Sequence, residues 1–571
     1  MAPAEETFSS WDGAELFYRA WLPGTACDRA LLFFHRGHEH SGRWQNVVKS
    51  LGLNDVAIFA PDARGHGHSG GERGCAENFA ACVKDVGAFV RHVSAQHGIA
   101  LEQMILIGHS VGAVAVAAWV HDYAPQIRAM ILATAALRVR LYVPLAVPAL
   151  RAKQKVSRGG FVTSYVRSKM LTRDAAEAAA YDADPLIFRK IAINVLLDLH
   201  DAGARLIADA GAIHVPTLML GAGRDWVVSL AAQRQFFNGL SSAVKQMHVF
   251  PAAQHAIFHD QQREQVIDRM REFVVERWAA PLAVPSLTDA DRSGPTWEEH
   301  ERLKLRGGMH FPLIRAGLQT AGRLSRGINV GCRAGFDSGT SLDYVYENKP
   351  RGVTMVGRAI DAAYLNSPGW RGIRQRRENL QRALRRVIES THGSGRPVNI
   401  FDVAAGPGRY VIETLAALRE VPVTAVLRDC KVENVEAARC LAGEVDLTNV
   451  RVEQADAFDR ATYSIDPRAT IGIVSGLYEL FPSNAVVAES LAGFADAIVP
   501  GGHLIYTNQP WHPQLEFIAR VLRNREGQPW VMRRRTTAEI DQLVARAGFE
   551  KIEMEIDEWG MFSVSIARRL G

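Results

Sequence analysis

The pentapeptide Gly108-His109-Ser110-Val111-Gly112 matches the pattern G-x-S-x-G. It follows the apolar run MILI and precedes the small-residue stretch VGAVAVAAWV, so a strand should enter the turn and a helix should leave it. Such a turn pushes the serine hydroxyl outward, and flanking glycines remove side chains that would clash. A serine nucleophile needs a base and an orienting acid, and in this strand-turn-helix setting the chain order is serine, acid, histidine. Asp225 lies just past the run TLMLGA, where a loop at a strand's carboxyl end can deliver a carboxylate. His255, in AAQHAIFHD, follows the strand-like QMHVF. Its competitors are His248, inside that strand pattern, and His259, one helical turn later.

A second chemistry-bearing turn is FDVAAGPGRY at 401–410. It places Asp402, Ala404, Gly406 and Gly408 between a strand and a helix, where small residues let backbone approach a ligand and a helix amino terminus attracts polar or negative groups. The turn alone would equally suit a dinucleotide. Acidic residues end two later apolar runs, Asp429 in VLRD and Asp456 in VEQADAF, and a further run leads into Ser475-Gly476. Each aspartate taken singly reads as an ordinary strand-end residue.

The elements needed to position these residues are legible. ALLFF (30–34), VAIFA (56–60), MILIG (104–108) and TLMLGA (217–222) are short apolar runs bounded by turn residues, with helix-like Phe79–His92 and Val111–Tyr123 between them. Strands alternating with helices predict a parallel sheet covered on both faces. A second alternation begins at VNIFDVA (398–404) and continues through VTAVLRD, NVRVEQAD, TIGIVSG and HLIYTN. Between the two, residues 279–296 hold three prolines among small polar residues, which is linker composition. No internal repeat links the halves. The expected division is a hydrolase-like domain over 1–280 with a helical cap at about 137–210, a linker over 281–299, and a second domain over 300–571. In that second domain, 300–394 reads as an accessory helical part and 395–571 as the core.

Composition agrees. The chain has 571 residues, 47% hydrophobic and 22% charged, which excludes a mainly disordered or fibrous protein. No apolar run reaches the 18 or so residues of a membrane-spanning helix. The net charge is +5, with 29 basic and 26 acidic residues up to position 280 and 37 and 35 after it, too balanced to imply a nucleic-acid partner. Six cysteines show no metal-ligand spacing, so no metal is expected and a reduced, cytoplasmic compartment is the simplest reading. The start, MAPAEETFSSWDG, lacks the apolar core of a secretory signal. Basic charge is concentrated locally. LYVPLAVPAL (141–150) is flanked by Arg138, Arg140, Arg151, Lys153, Lys155 and Arg158, and RGIRQRRENLQRALRR (371–386) holds seven arginines and one glutamate. Both segments could meet an anionic membrane surface at the inner face, or be faces of ordinary packed helices. The oligomeric state is not readable.

The first half resembles the monoglyceride lipase and lysophospholipase family of α/β-hydrolases through HRGHEHSGRW (35–44), PDARGHGHSGGERG (61–74), GHSVG and FPAAQHAIFHD (250–260). The resemblance implies a catalytic Ser110, Asp225 and His255, oxyanion donors at the backbone amides of Gly37 and Val111, and a lipid-like ester substrate, although a peptidase or an acyltransferase shares the machinery. It departs at His35-Arg36-Gly37-His38, where the family carries more glycine. Arg36 could contact an anionic headgroup or point to solvent.

The second half resembles class I S-adenosylmethionine-dependent methyltransferases, with Ala404 in place of the first glycine of their motif. That likeness implies S-adenosyl-L-methionine as co-substrate, Asp429 on its ribose, Asp456 near its adenine, and Ser475 and Gly476 beside its methionine moiety. The region around YTNQPWHPQLEF is similar to a bacterial methyltransferase group often fused to such hydrolases. SGLYELF lacks the Asn-Pro-Pro-aromatic signature of many amino-group methyltransferases, and Asn508-Gln509-Pro510 follows the wrong strand to replace it. Glu479 and Tyr478 could orient an acceptor or simply pack. The implied architecture is an α/β-hydrolase domain followed by a Rossmann-like methyltransferase domain, with a non-catalytic donor-binding module as the rival reading of the second half.

Overall fold

The computed structural model describes residues 2–156, 159–282, 284–305 and 307–571, so Arg158 lies outside the described residues. The chain forms two compact units, Met1–Pro285 and Ser286–Gly571.

The first unit is built on strands β1 (Ala4–Ser9), β2 (Glu15–Trp21), β3 (Ala30–Phe34), β4 (Ala57–Pro61), β5 (Met104–His109), β6 (Ala129–Ala133), β9 (Thr217–Ala222) and β10 (Lys245–Phe250), with a small antiparallel pair, β7 (Phe161–Thr163) and β8 (Lys190–Ala192), set apart. Among the described residues the main sheet runs β1-β2-β4-β3-β5-β6-β9-β10, antiparallel as far as β4 and parallel beyond it. The strand pleat divides each run between two cores: Leu32, Phe34 and Leu106 join one, while Leu31, Phe33, Ile105 and Ile107 join the other. This is why the central strands read as unbroken apolar runs rather than alternating ones. Between β6 and β9 the sheet is interrupted by helices Ala146–Val156, Ser168–Leu171, Ala175–Ala183 and Ile193–Ala208. The last packs into the sheet-side core through Val195, Leu199 and Leu206. The helix Ala146–Val156 buries none of its residues, and Tyr142, Val143, Leu145 and Val156 are exposed.

The second unit has strands β11 (Val398–Val403), β12 (Val423–Asp429), β13 (Val450–Gln454), β14 (Ala469–Val474), β15 (Ile498–Asn508), β16 (Phe549–Ile556) and β17 (Ser563–Arg569). Their order is β13-β12-β11-β14-β15-β17-β16, with β17 antiparallel to both its neighbours. Chain order reverses between β11 and β14, and in open α/β sheets a crevice opens at the carboxyl ends of such a pair. Val398 and Ile400 face one core and Phe401 and Val403 the other, again covering both faces.

Ahead of this sheet lie helices Pro295–Lys304, His310–Gln319, Arg326–Ala334, Gly339–Glu347, Met355–Leu365 and Pro368–Gly393. The last contains the arginine-rich segment, and its apolar residues Leu380, Leu384 and Val387 are buried against the sheet. Its guanidinium groups are largely committed within the unit. Arg376 meets Glu479, Arg377 meets Glu413, and Arg382 and Arg386 share Glu555. Arg371 reaches Glu558 and lies over the Trp559 ring. The segment is thus the polar face of a packed helix.

Candidate active sites

In the first unit, β5 runs straight into helix Val111–Tyr123, and Ser110 sits between them at φ 55°, a left-handed conformation that L-residues seldom adopt. The conformation is held by neighbours. Ser110 N–H donates to the Ala133 carbonyl at 2.9 Å, and a Cβ on Gly112 would stand 2.5 Å from the Phe34 carbonyl oxygen. Only glycine lets the helix start this close to β3.

The Ser110 hydroxyl lies 2.9 Å from His255 Nε2, and His255 Nδ1 lies 2.9 Å from Asp225 Oδ2. The other Asp225 oxygen accepts from the Val227 and Val228 amides at 2.8 and 2.9 Å, so both carboxylate oxygens are held. All three side chains are buried. The histidine competitors are elsewhere: His248 faces outward on β10, and His259 bonds to the Arg43 carbonyl. One positioning group was not legible in the sequence. His109 and Thr134 both donate to the His255 carbonyl, at 3.1 and 3.0 Å, and burial keeps His109 neutral, well below the ordinary histidine range.

Gly37 packs against Val111, with a Cβ at Gly37 reaching within 3.2 Å of the Val111 side chain. Among the described residues neither amide N–H has a protein acceptor, which leaves two adjacent donors near Ser110. The loop that lacks the family's glycines is braced by His35. Its Nε2 accepts from the Ala63 amide at 2.9 Å, so its Nδ1 carries the proton donated to the Arg36 carbonyl at 2.8 Å. His38 adopts φ 73° where glycine would be easier. Arg36 takes neither of the roles open to it in the sequence. It is buried, donates to Glu39 at 2.8 Å and covers the Tyr181 ring at 4.9 Å. Burial alone would raise the Glu39 carboxyl, but Arg36, His259 and Arg43 outweigh it and hold the group far below the usual range.

In the second unit a cavity of about 890 Å³ opens at the β11/β14 reversal, within the roughly 300–1,000 Å³ usual for small-molecule sites. Ala404, Gly406, Gly408, Asp429, Asp456, Ser475 and Gly476 all line it. Ala404, Gly406 and Gly408 adopt φ of 56°, 59° and 64°, and a Cβ on Gly406 would meet nothing within 4 Å, so the turn presents open backbone. Asp429 ties the turn to β12: its Oδ2 accepts from the Gly406 amide at 2.8 Å, and its Oδ1 from the Lys431 amide and the Asn434 side chain. Gly476 N–H is anchored on Thr507 at 2.8 Å.

Asp402 is a correction to the expected ligand set, because it lies behind the turn and does not line the cavity. It is fully buried and accepts from Tyr410 at 2.7 Å, with its second oxygen unpartnered among the described residues. Burial pushes its carboxyl well above the ordinary range, and it braces the turn from below through Tyr410.

Trp370, Arg376, Gln509 and His512, not read as site residues from the sequence, also line the cavity, as does Glu479, which was. Arg376 reaches Glu479 Oε1 at 3.2 Å, while Glu479 Oε2 and Gln509 Nε2 are buried without protein partners among the described residues. Tyr478 instead points into the core, fully buried beside Ser490. Arg376 was one of seven arginines in its segment, and nothing in the spacing distinguished it. Among the described residues there is no group of three or more histidine, cysteine or acidic side chains placed to hold a metal ion. No helix among them is long and apolar enough to cross a membrane.

Two family models match the chain. Residues 270–569 match the family described as "Putative methyltransferase", and residues 25–262 match the family described as "Serine aminopeptidase, S33". The chain is 44% identical to "Uncharacterized protein YnbC" of Escherichia coli over 99% of its length and 98% of that protein. It is 26% identical to the monoacylglycerol lipase of Mycolicibacterium smegmatis over 48% of this chain and 97% of that one. It is also 28% identical to the human monoglyceride lipase, over 43% of this chain and 81% of the other.

Two outcomes follow from the cavity wall. Ala404→Gly should relieve left-handed strain and stabilise the chain by about 1 kcal/mol in urea unfolding, without loss of ligand binding. Burial lowers His512 from 6.5 to about 4. Between those values the unfolded chain binds the proton that the folded one refuses, so stability falls as pH drops from 6.5 towards 4. Thermal melts at neutral pH and near the lower value should show that His512→Gln flattens this loss.

Proposed function

The chain belongs to the "Putative methyltransferase" family and carries a hydrolase domain of the monoglyceride lipase type ahead of it, and from that premise we propose a bifunctional enzyme. The first site hydrolyses carboxylic esters of monoacylglycerol or lysophospholipid type. The second transfers a methyl group from S-adenosyl-L-methionine.

The observation that carries the hydrolase reading is the buried relay from Asp225 through His255 to Ser110, at 2.9 Å for each link. His255 Nε2 takes the Ser110 proton as the oxygen attacks the ester carbonyl carbon. The Gly37 and Val111 amides receive the oxyanion. Asp225, itself pinned by two amides, fixes the imidazole so that Nε2 is the free base. The imidazolium then protonates the departing alcohol, and water admitted by the same base releases the acyl group. The names of the lipase relatives and the exposed apolar side chains at Tyr142, Val143 and Leu145 support a lipid-like ester over a peptide.

The donor site fits its group. Open backbone at Gly406 and carboxylates at Asp429 and Asp456 suit the hydroxyls and base of a nucleoside. When bound, the donor supplies an electrophilic methyl group. The unpartnered Glu479 oxygen favours transfer over mere donor storage, because it offers an acceptor's O–H or N–H a place to lodge beside Gly476. Arg376 holds that carboxylate in orientation.

Labelling with a fluorophosphonate probe tests the first site: wild type should react and Ser110→Ala should not, whereas equal labelling removes the nucleophile assignment. Asp225→Ala should lower esterase kcat by roughly 10⁴-fold, measured across monoacylglycerols, lysophospholipids and small peptides. Calorimetry tests the second site, where Asp429→Ala should weaken S-adenosylmethionine binding at least about tenfold. Glu479→Gln should leave donor binding intact and depress S-adenosylhomocysteine production in a lipid extract. Donor binding without any such production would leave the second unit a binding module.

A further inference from the structure

We propose that helices His310–Gln319 and Met355–Leu365, with the turn between Ala321 and Leu324, form a docking face for an anionic lipid bilayer. The sequence holds no acidic residue between Glu301 and Asp337, and none from Asn348 to Ile360. The fold joins these two stretches. Ser325 bridges Gly352, Arg326 N–H donates to the Arg351 carbonyl at 3.0 Å, and Val353 N–H to the Leu324 carbonyl at 3.2 Å. Both helices pack on the intervening turn. Two acid-free segments thereby become one surface.

That surface exposes large apolar side chains that a water-facing helix would ordinarily bury. Met309 and Met355 are each 90% exposed, Val353 84% and Leu313 75%. Around them Arg323, Arg326, Lys349 and Arg358 are exposed and, among the described residues, pair with no carboxylate. Contiguous apolar exposure marks an interaction site. Its partner must accept flexible aliphatic chains and several positive charges together, which a bilayer does by taking the former below its headgroups and the latter at its phosphates. Single-stranded nucleic acid would call for stacking aromatics, and those prominent here are aliphatic or methionine. A second copy related by a two-fold axis would set this basic face against itself.

The inner sides of the same elements close the cavity of the second unit, through Leu318, Ile360, Ala363 and Tyr364. On the methyltransferase reading, this makes the docking face the outer wall of the acceptor chamber and an amphipathic lipid its natural acceptor. The docking face itself stands without that reading.

Vesicle flotation of the full chain tests it. Wild type should float with phosphatidylcholine vesicles containing phosphatidylglycerol, not with phosphatidylcholine alone, and high salt should release it. Met309→Asp combined with Leu313→Asp and Met355→Asp should cut the bound fraction about tenfold. Arg323→Glu with Arg358→Glu should do the same, and both variants should keep wild-type melting and S-adenosylmethionine binding, since the altered side chains are exposed. Failure of wild type to float, or wild-type flotation by the apolar variant, overturns the proposal. So does loss of flotation caused by Val143→Asp with Leu145→Asp alone, or a finding that the surface variants abolish self-association or RNA binding in place of vesicle binding. Because donor binding is read separately, a failed flotation result leaves the methyltransferase reading standing.

Discussion

A short turn from a buried parallel strand into a helix takes the chain through left-handed conformations, and both sites of this protein are built on such a turn. At the end of β5 the turn falls on Ser110, and it exists because Gly112 lets the helix start almost in contact with the Phe34 carbonyl. At the end of β11 it falls on Ala404, Gly406 and Gly408. In each case the strand's own carboxyl end is where neighbouring loops converge, so Asp225 and His255 in one unit, and Asp429 and Asp456 in the other, arrive from strands that lie apart in the chain.

The two turns use that geometry differently. The first carries one reactive oxygen, and its Asp225–His255 relay is fully held while the Gly37 and Val111 amides stay open: both Asp225 oxygens are held and the His255 carbonyl takes two donors. The second presents backbone, and its surroundings retain unfilled valence, in Glu479 Oε2 and Gln509 Nε2. A saturated relay suits a reaction whose reagent is water and whose nucleophile belongs to the chain. Unfilled polar atoms in a large cavity suit a site that must receive two ligands before anything happens.

Charge shows how little composition says about surfaces. The arginine-rich stretch at 371–386 stands out in the sequence, yet most of its guanidiniums meet carboxylates from β16, from the helix after β11 and from Glu479. The stretches 302–336 and 348–360 are less dense in arginine, but they lack acids altogether, and although Lys304 and Arg351 meet Glu301 and Glu347 just outside them, Arg323, Arg326, Lys349 and Arg358 meet no carboxylate among the described residues. Absence of the opposite sign, more than density of one sign, decides whether a basic segment remains a surface feature.

The sequence by itself determined what depends on local pattern: the strand runs with their turns, the order serine, aspartate, histidine, and the carboxylates ending β12 and β13, because an apolar run bounded by a glycine turn has few ways to be buried. It could not decide matters that depend on which residues meet across the fold. Arg36 turned inward to Glu39, Asp402 withdrew beneath its turn with its carboxyl raised by burial, and Arg376 left its six fellow arginines to face a cavity with Glu479. Each of these outcomes is set by desolvation and by a partner distant in sequence, and neither quantity exists until the sheet has closed over the chain.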